Sequence, residues 1–135
     1  MSKGILLDSH VLIWLADATL PDASLAVVLH SRLVGQAYVS PVTAWEIGLL
    51  AGRRRRTFEP DPVTWYERLI GDMKLAEVAL TSRILLDSTL LPGDLPDPAD
   101  RMLIATARAL GCALMTRDAA ILAYAAQGHC KVVPC

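Results

Sequence analysis

Apolar positions along this chain follow two periods. Short apolar runs, "GILL" (4–7), "AYVS" (37–40), "EVAL" (77–80), "ALMT" (113–116) and "KVV" (131–133), have the length and make-up of strands. The longer segments between them repeat apolar residues at spacings of three and four. These are "PDASLAVVLHSRLVG" from Pro21, "TAWEIGLLAGRR" from Thr43, "DPVTWYERLIGDM" from Asp61, "TSRILLDSTLL" from Thr81, "DPADRMLIATARALG" from Asp97 and "DAAILAYAAQG" from Asp118. They predict helices, with Gly35, Gly111 and Gly128 at the C-terminal stops. Strands alternating with helices predict an α/β fold: three layers, α/β/α, around a central parallel sheet of about five strands.

Nothing breaks that alternation into separate units. There is no repeat or low-complexity tract, and the Pro-rich "LPGDLPDP" (91–98) reads as a loop, so residues 1–135 are expected to form one domain. Composition adds that the chain is on the apolar side, 53% hydrophobic with mean hydropathy +0.39, which leaves surface for a partner or a second copy. No apolar run approaches the ~20 residues that cross a bilayer. "GILLDSHVLIWLA" is interrupted by Asp8 and His10 and makes a poor signal segment. A cytosolic, non-membrane protein is expected. Cys112, Cys130 and Cys135 are odd in number and contain no C-x-x-C, which points to buried thiols and away from a disulfide framework or a zinc site. The net charge of −1 excludes capture of nucleic acid by bulk charge, although "GRRRR" (52–56) gathers four of the 13 basic residues.

Acidic residues collect after the strands, where open parallel sheets bind ligands. Asp8 follows "GILL", Glu46 lies one helical entry after "AYVS", Asp118 follows "ALMT", and "DPAD" brings Asp97 and Asp100 into the helix before that strand. Each has a structural explanation. Thr43-x-x-Glu46 has the spacing of a capping box, Asp97 before Pro98 is an N-cap with Asp100 at the third helical position, and Asp118 is an N-cap. Asp61-Pro62 has the same local pattern and no apparent chemistry. Register adds to the functional side: Glu46 lines up with Leu49 and Leu50, and Asp100 with Leu103, Ile104 and Ala107, so both acids lead the apolar stripe of their helices. Asp8, ending an apolar strand, has little purely structural purpose.

Two carboxylates about 5 Å apart repel by roughly 3 kcal/mol at an effective dielectric near 20, so four in one pocket require protons or a cation. A hard divalent ion, Mg²⁺ or Mn²⁺, matches an all-oxygen donor set and suits phosphodiester hydrolysis by activated water. Thr116 in "TRD" is placed to orient a water or a phosphate. The same acids also suit a Mg²⁺-dependent phosphohydrolase for small substrates, or a non-catalytic binding module. A phospho-accepting receiver is disfavoured: it needs an acidic pair after the first strand and a lysine after the last, and "LLDSH" and "KVVPC" supply neither.

Taken together, "LLDSHVLIW", "SPVTAWEIGLL", "DPADRMLIATA" and "LMTRD" resemble the PIN-domain family, and within it the VapC-type toxin ribonucleases. The resemblance covers nearly the whole chain. It implies a PIN-like fold and a Mg²⁺- or Mn²⁺-dependent endoribonuclease, commonly homodimeric. It also implies a toxin held inactive by a small VapB-type antitoxin that binds promoter DNA. Carried over residue by residue, the family's acidic cluster falls on Asp8, Glu46, Asp100 and Asp118, with Asp97, Thr116 and Ser9 behind them. Two departures bear on this. Ser9 stands where threonine is usual, and either hydroxyl can bond a carboxylate or cap a helix. After Glu46 the helix runs "GLLAGRRRR" without the lysine many relatives carry, so no basic residue is carried over there. His10, His30 and His129 lack metal-ligand spacing, and Trp14, Trp45 and Trp65 are assigned to core or interface.

Overall fold

A computed structural model of the protein describes residues 4–135; Met1–Lys3, at the start of the expected domain, lie outside the described residues. Five strands form one parallel sheet: β1 (Ile5–Leu7), β2 (Ala37–Val39), β3 (Ala76–Glu77), β4 (Ala113–Thr116) and β5 (Val132–Pro134), in the order β3-β2-β1-β4-β5. Seven helices flank it: α1 (Ser9–Ala16), α2 (Asp22–Leu33), α3 (Pro41–Gly52), α4 (Pro62–Asp72), α5 (Ser82–Thr89), α6 (Pro98–Leu110) and α7 (Ala119–Ala126). The three-layer α/β/α architecture is the one expected.

Successive strand side chains point to opposite faces, and this builds two cores. Ile5, Leu7, Val39 and Met115 pack with Val11 and Leu12 of α1, Val28 of α2 and Tyr66 of α4. Leu6 and Leu114 pack on the other face with Leu103, Ile104 and Ala107 of α6 and Ile121 and Tyr124 of α7. Helix α3 touches both, giving Ile47 to the first core and Val42 to the second, so it straddles the sheet edge where Glu46 lies. Among the described residues no helix is long and apolar enough to cross a membrane, and all three cysteines are free.

The boundaries differ from expectation in informative places. Helix α1 is absent from the segments picked out by spacing, because "SHVLIWLA" is buried at Ser9, Val11, Leu12, Ile13 and Leu15 and so lacks a polar face. The third strand lies at Ala76–Glu77 and not at 77–80. Thr43 and Glu46 do not form a capping box: α3 begins earlier, at Pro41, capped by Ser40, whose Oγ accepts from Val42 N at 3.1 Å. Proline at the first helical position sets that earlier start.

The loop from Leu91 to Asp97 is tied down by one side chain. Arg101 donates from Nε to Ser88 O (2.9 Å), from Nη1 to Leu95 O (3.0 Å) and from Nη2 to Leu91 O (2.9 Å). Tyr124 Oη adds a bond to Pro92 O. A loop so held fixes where α6, and hence Asp100, begins.

Candidate active site

The C-terminal ends of β1, β2 and β4 lead into α1, α3 and α7; Asp8 and Asp118 sit at two of these junctions, Glu46 lies within α3, and Asp97 and Asp100 open α6. Asp8 leaves β1 with its carboxylate capping α1: Oδ1 accepts from Ser9 N at 2.7 Å, and Oδ2 accepts from Thr116 Oγ1 at 2.7 Å. Asp8 therefore has a structural purpose that the strand-end reading denied it. Thr116 Oγ1 in turn accepts from Asp118 N at 3.0 Å, so one hydroxyl couples the ends of β1 and β4. Asp118 caps α7 through Ile121 N (3.0 Å), and Asp97 caps α6 through Ala99 N (2.8 Å) and Asp100 N (3.3 Å), as their sequence contexts predict.

Glu46 is half-buried, and its compensation comes from Ser9, whose Oγ donates to Glu46 Oε1 at 2.6 Å. Ser9 Oγ also lies 3.2 Å from the fully buried Thr43 Oγ1. Thr43 supports the site through Ser9 and not through a helix cap, a role that the local T-x-x-E spacing concealed. The stripe behind Glu46 is only half-buried at Leu49 and Leu50, whereas Leu103, Ile104 and Ala107 behind Asp100 are buried.

Asp100 is the exceptional group. It is half-buried, and its carboxyl receives no hydrogen bond from any described residue. Burial, and then the charges of Asp97, Asp118, Asp8 and Glu46, push its pKa up to about 7. Burial also raises Asp8, against hydrogen bonds from Thr116 and Ser9, and raises Glu46, against its bond from Ser9. His10, exposed on α1, lies close enough to act electrostatically on both, in the lowering direction. No lysine or arginine does the same by contact: the ion pairs among the described residues, Arg56–Asp17 and Arg83–Asp87, involve none of these acids.

The charges of Asp8, Glu46, Asp97 and Asp118 thus all reach Asp100. Oxygen donors, mutual repulsion and a donorless carboxyl fit a hard divalent cation. Among the described residues, no three Asp, Glu, His or Cys side chains are already gathered around one ion position. Of the tryptophans, Trp14 and Trp65 are partly buried and Trp45 is 59% exposed beside Glu46, so Trp45 is no core residue.

Acids gathered near one end of a parallel α/β/α sheet fit a nuclease-like class, and the PIN domain family model matches residues 5–133. The chain belongs to the PIN-domain family. It is 30% identical over 115 residues to Ribonuclease VapC22 of Mycobacterium tuberculosis (strain ATCC 25618 / H37Rv), covering 84% of this chain and 86% of that one. In fold it is similar to the crystal structure of VapBC2 from Rickettsia felis bound to a DNA fragment from their promoter. That likeness has a TM-score of 0.72 and 10% identity, and covers 96% of this chain and 97% of that chain.

Proposed function

We propose that this protein is a Mg²⁺- or Mn²⁺-dependent endoribonuclease, the toxin of a VapBC-type toxin–antitoxin pair. The observation that carries the reading is Asp100, a half-buried carboxyl without a donor, facing Asp8, Glu46, Asp97 and Asp118. Asp8, Glu46, Asp100 and Asp118 would hold the metal, with Asp97, Thr116 and Ser9 fixing them from behind. When bound, a divalent ion supplies positive charge for the scissile phosphate and makes water acidic enough to attack phosphorus at neutral pH. Ser9 and Thr116 keep one oxygen each of Glu46 and Asp8 in place, which limits reorganisation as charge develops.

The relatives support the partners: one is named a ribonuclease, and the other is a VapBC complex on promoter DNA. On the proposed reading the substrate is RNA, the inhibitor a VapB-type antitoxin, and the working form a homodimer in the cytoplasm. Incubation of the purified protein with structured RNA tests the reading. Cleavage is expected in Mg²⁺ or Mn²⁺, leaving 5′-phosphate ends, and is expected to stop in EDTA. Undiminished cutting in EDTA, or 2′,3′-cyclic phosphate products, would overturn the mechanism. Turnover of a small phosphate ester with intact RNA would favour the phosphohydrolase instead.

A further inference from the structure

Most arginines with side-chain partners in this chain have plain structural roles. Arg101 commits three nitrogens to loop carbonyls, Arg56 both Nη groups to Asp17, and Arg83 its Nε to Asp87. Arg108 donates to His129 O at the far end of α6 from the acids. Arg117 differs in both place and pairing. It stands between Thr116 and Asp118, is exposed, and among the described residues pairs with no acidic side chain. Its guanidinium carbon lies 4.1 Å above the centre of the Trp14 ring, and its Nε donates to Cys135 O at 2.8 Å.

That corner belongs to the rim of the acid pocket. Trp14 lies on α1 one turn after His10, with ring centroids 5.9 Å apart, and His10 acts on Asp8 and Glu46. The Cys135 thiol beside the guanidinium is within reach of the Asp8 charge. An arginine seated over an aromatic ring and held by one main-chain oxygen has already lost much of its side-chain freedom, so a new ligand does not bear that cost again. The neighbouring thiol is only a weak acceptor, which leaves the guanidinium without a strong one beyond the Cys135 carbonyl.

We propose that Arg117, held over Trp14, binds a backbone phosphate of the RNA strand next to the phosphodiester at the acid centre. This rests on the ribonuclease reading above. A polyanion laid across several carboxylates is repelled wherever no cation meets it, and a planar guanidinium fork matches a phosphate's oxygens. Arg117 is then a positioning residue that seats the strand. The competing role is a staple that only fastens the segment around Cys135 to α1.

Salt dependence separates the two. Each phosphate contact to a single strand contributes about 0.7 to the slope of log K against log salt. Binding of a fluorescein-labelled, mixed-sequence single-stranded oligoribonucleotide is measured by anisotropy in EDTA over a KCl series, beside thermal melts and cleavage kinetics in Mg²⁺. Arg117→Gln is expected to lose about 0.7 of slope and to raise KM severalfold with kcat little changed. Arg117→Lys, which keeps the charge, is expected to retain the slope. Arg117→Met keeps an aliphatic stem over Trp14 and replaces the glutamine variant if that fails to fold. A neutral variant that melts lower yet keeps the wild-type slope and KM would make Arg117 a staple and sink the inference while leaving the ribonuclease reading intact. A wild-type protein that neither binds nor cuts RNA would overturn both.

Discussion

The carboxyl of Asp100 makes metal-free stability depend on pH in an unusual direction, and Asp100→Asn isolates the effect. In the unfolded chain an aspartate ionises near 3.8; in the native pocket burial and four neighbouring acids move ionisation to about 7. Between those values the native state holds the proton and the unfolded state does not. Stability in EDTA is therefore fully present at low pH and falls as pH rises through the window from about 4 to 7. One pKa unit corresponds to 1.36 kcal/mol, so the whole shift would be about 4 kcal/mol; screening at this half-exposed group reduces it to on the order of 1–2 kcal/mol. The raised Asp8 and Glu46 slope the same way and remain in the variant.

Asparagine has nearly the shape of aspartate and no charge to ionise. The variant is expected to match the wild type near pH 4 and to exceed it by about 1–2 kcal/mol at pH 8 in EDTA, or roughly 3–8 °C in melting temperature. Saturating Mg²⁺ should reverse the order, because wild type gains binding energy in the native state and the variant loses a ligand. Urea titrations at both pH values, with EDTA or Mg²⁺, measure all four corners. A variant less stable than wild type at pH 8 in EDTA, with an unchanged pH slope, would mean that the Asp100 anion is stabilised by something in the native fold. The repulsion argument for the site would then fail.

Two supporting residues carry further predictions. Ser9→Ala removes the donor to Glu46, so the acidic limb of the cleavage profile is expected to move to higher pH and the rate below neutrality to fall about tenfold, equivalent to ~1.4 kcal/mol; Ser9→Thr should restore both, and a pH–rate series on the three proteins decides it. Arg101→Met leaves the carbonyls of Ser88, Leu91 and Leu95 without their donor and is expected to cost on the order of 2–4 kcal/mol in a urea titration. Lysine should rescue little of it, since a point charge cannot meet three carbonyls spread around a fork.

The layer order and the acids were legible because both rest on repeating local signals. Helix and strand periods separated cleanly wherever one face was exposed, as in α6, whose buried Leu103, Ile104 and Ala107 follow Asp100 at helical spacing. They failed in α1, where the mostly buried "SHVLIWLA" looks like a strand's continuation. The relation of Ser9 to Glu46 joins residues 37 apart, and that of Thr116 to Asp8 joins residues 108 apart, so no local pattern contains either bond. Thr43 shows the cost of a local reading: its spacing to Glu46 fits a capping box, but Pro41 starts the helix a turn earlier and turns Thr43 toward Ser9.

Asp61 and Asp97 can be compared because both sit in an Asp-Pro pair. Each precedes a proline, and each caps the helix that proline opens. Asp61 completes its bonding on the spot: Oδ1 accepts from Thr64 N and Oδ2 from Thr64 Oγ1, both at 2.8 Å, and those bonds hold its carboxyl below the usual range. Asp97 gives only Oδ1 to backbone N–H groups, and its charge acts on Asp100 and Glu46 across the pocket. Asp118 likewise caps through Oδ1 alone and acts on Asp100 and Asp8. Capping and chemistry are therefore not rival explanations here. For Asp118, a helix N-terminus following a parallel strand places the carboxylate at the ligand-binding end of the sheet, and in both caps one oxygen is fixed while the other stays available. What separates a cap from a site is whether the second oxygen has a local donor, as Thr64 is for Asp61, and whether the charges of other acids reach it; the second depends on packing between elements distant in the chain.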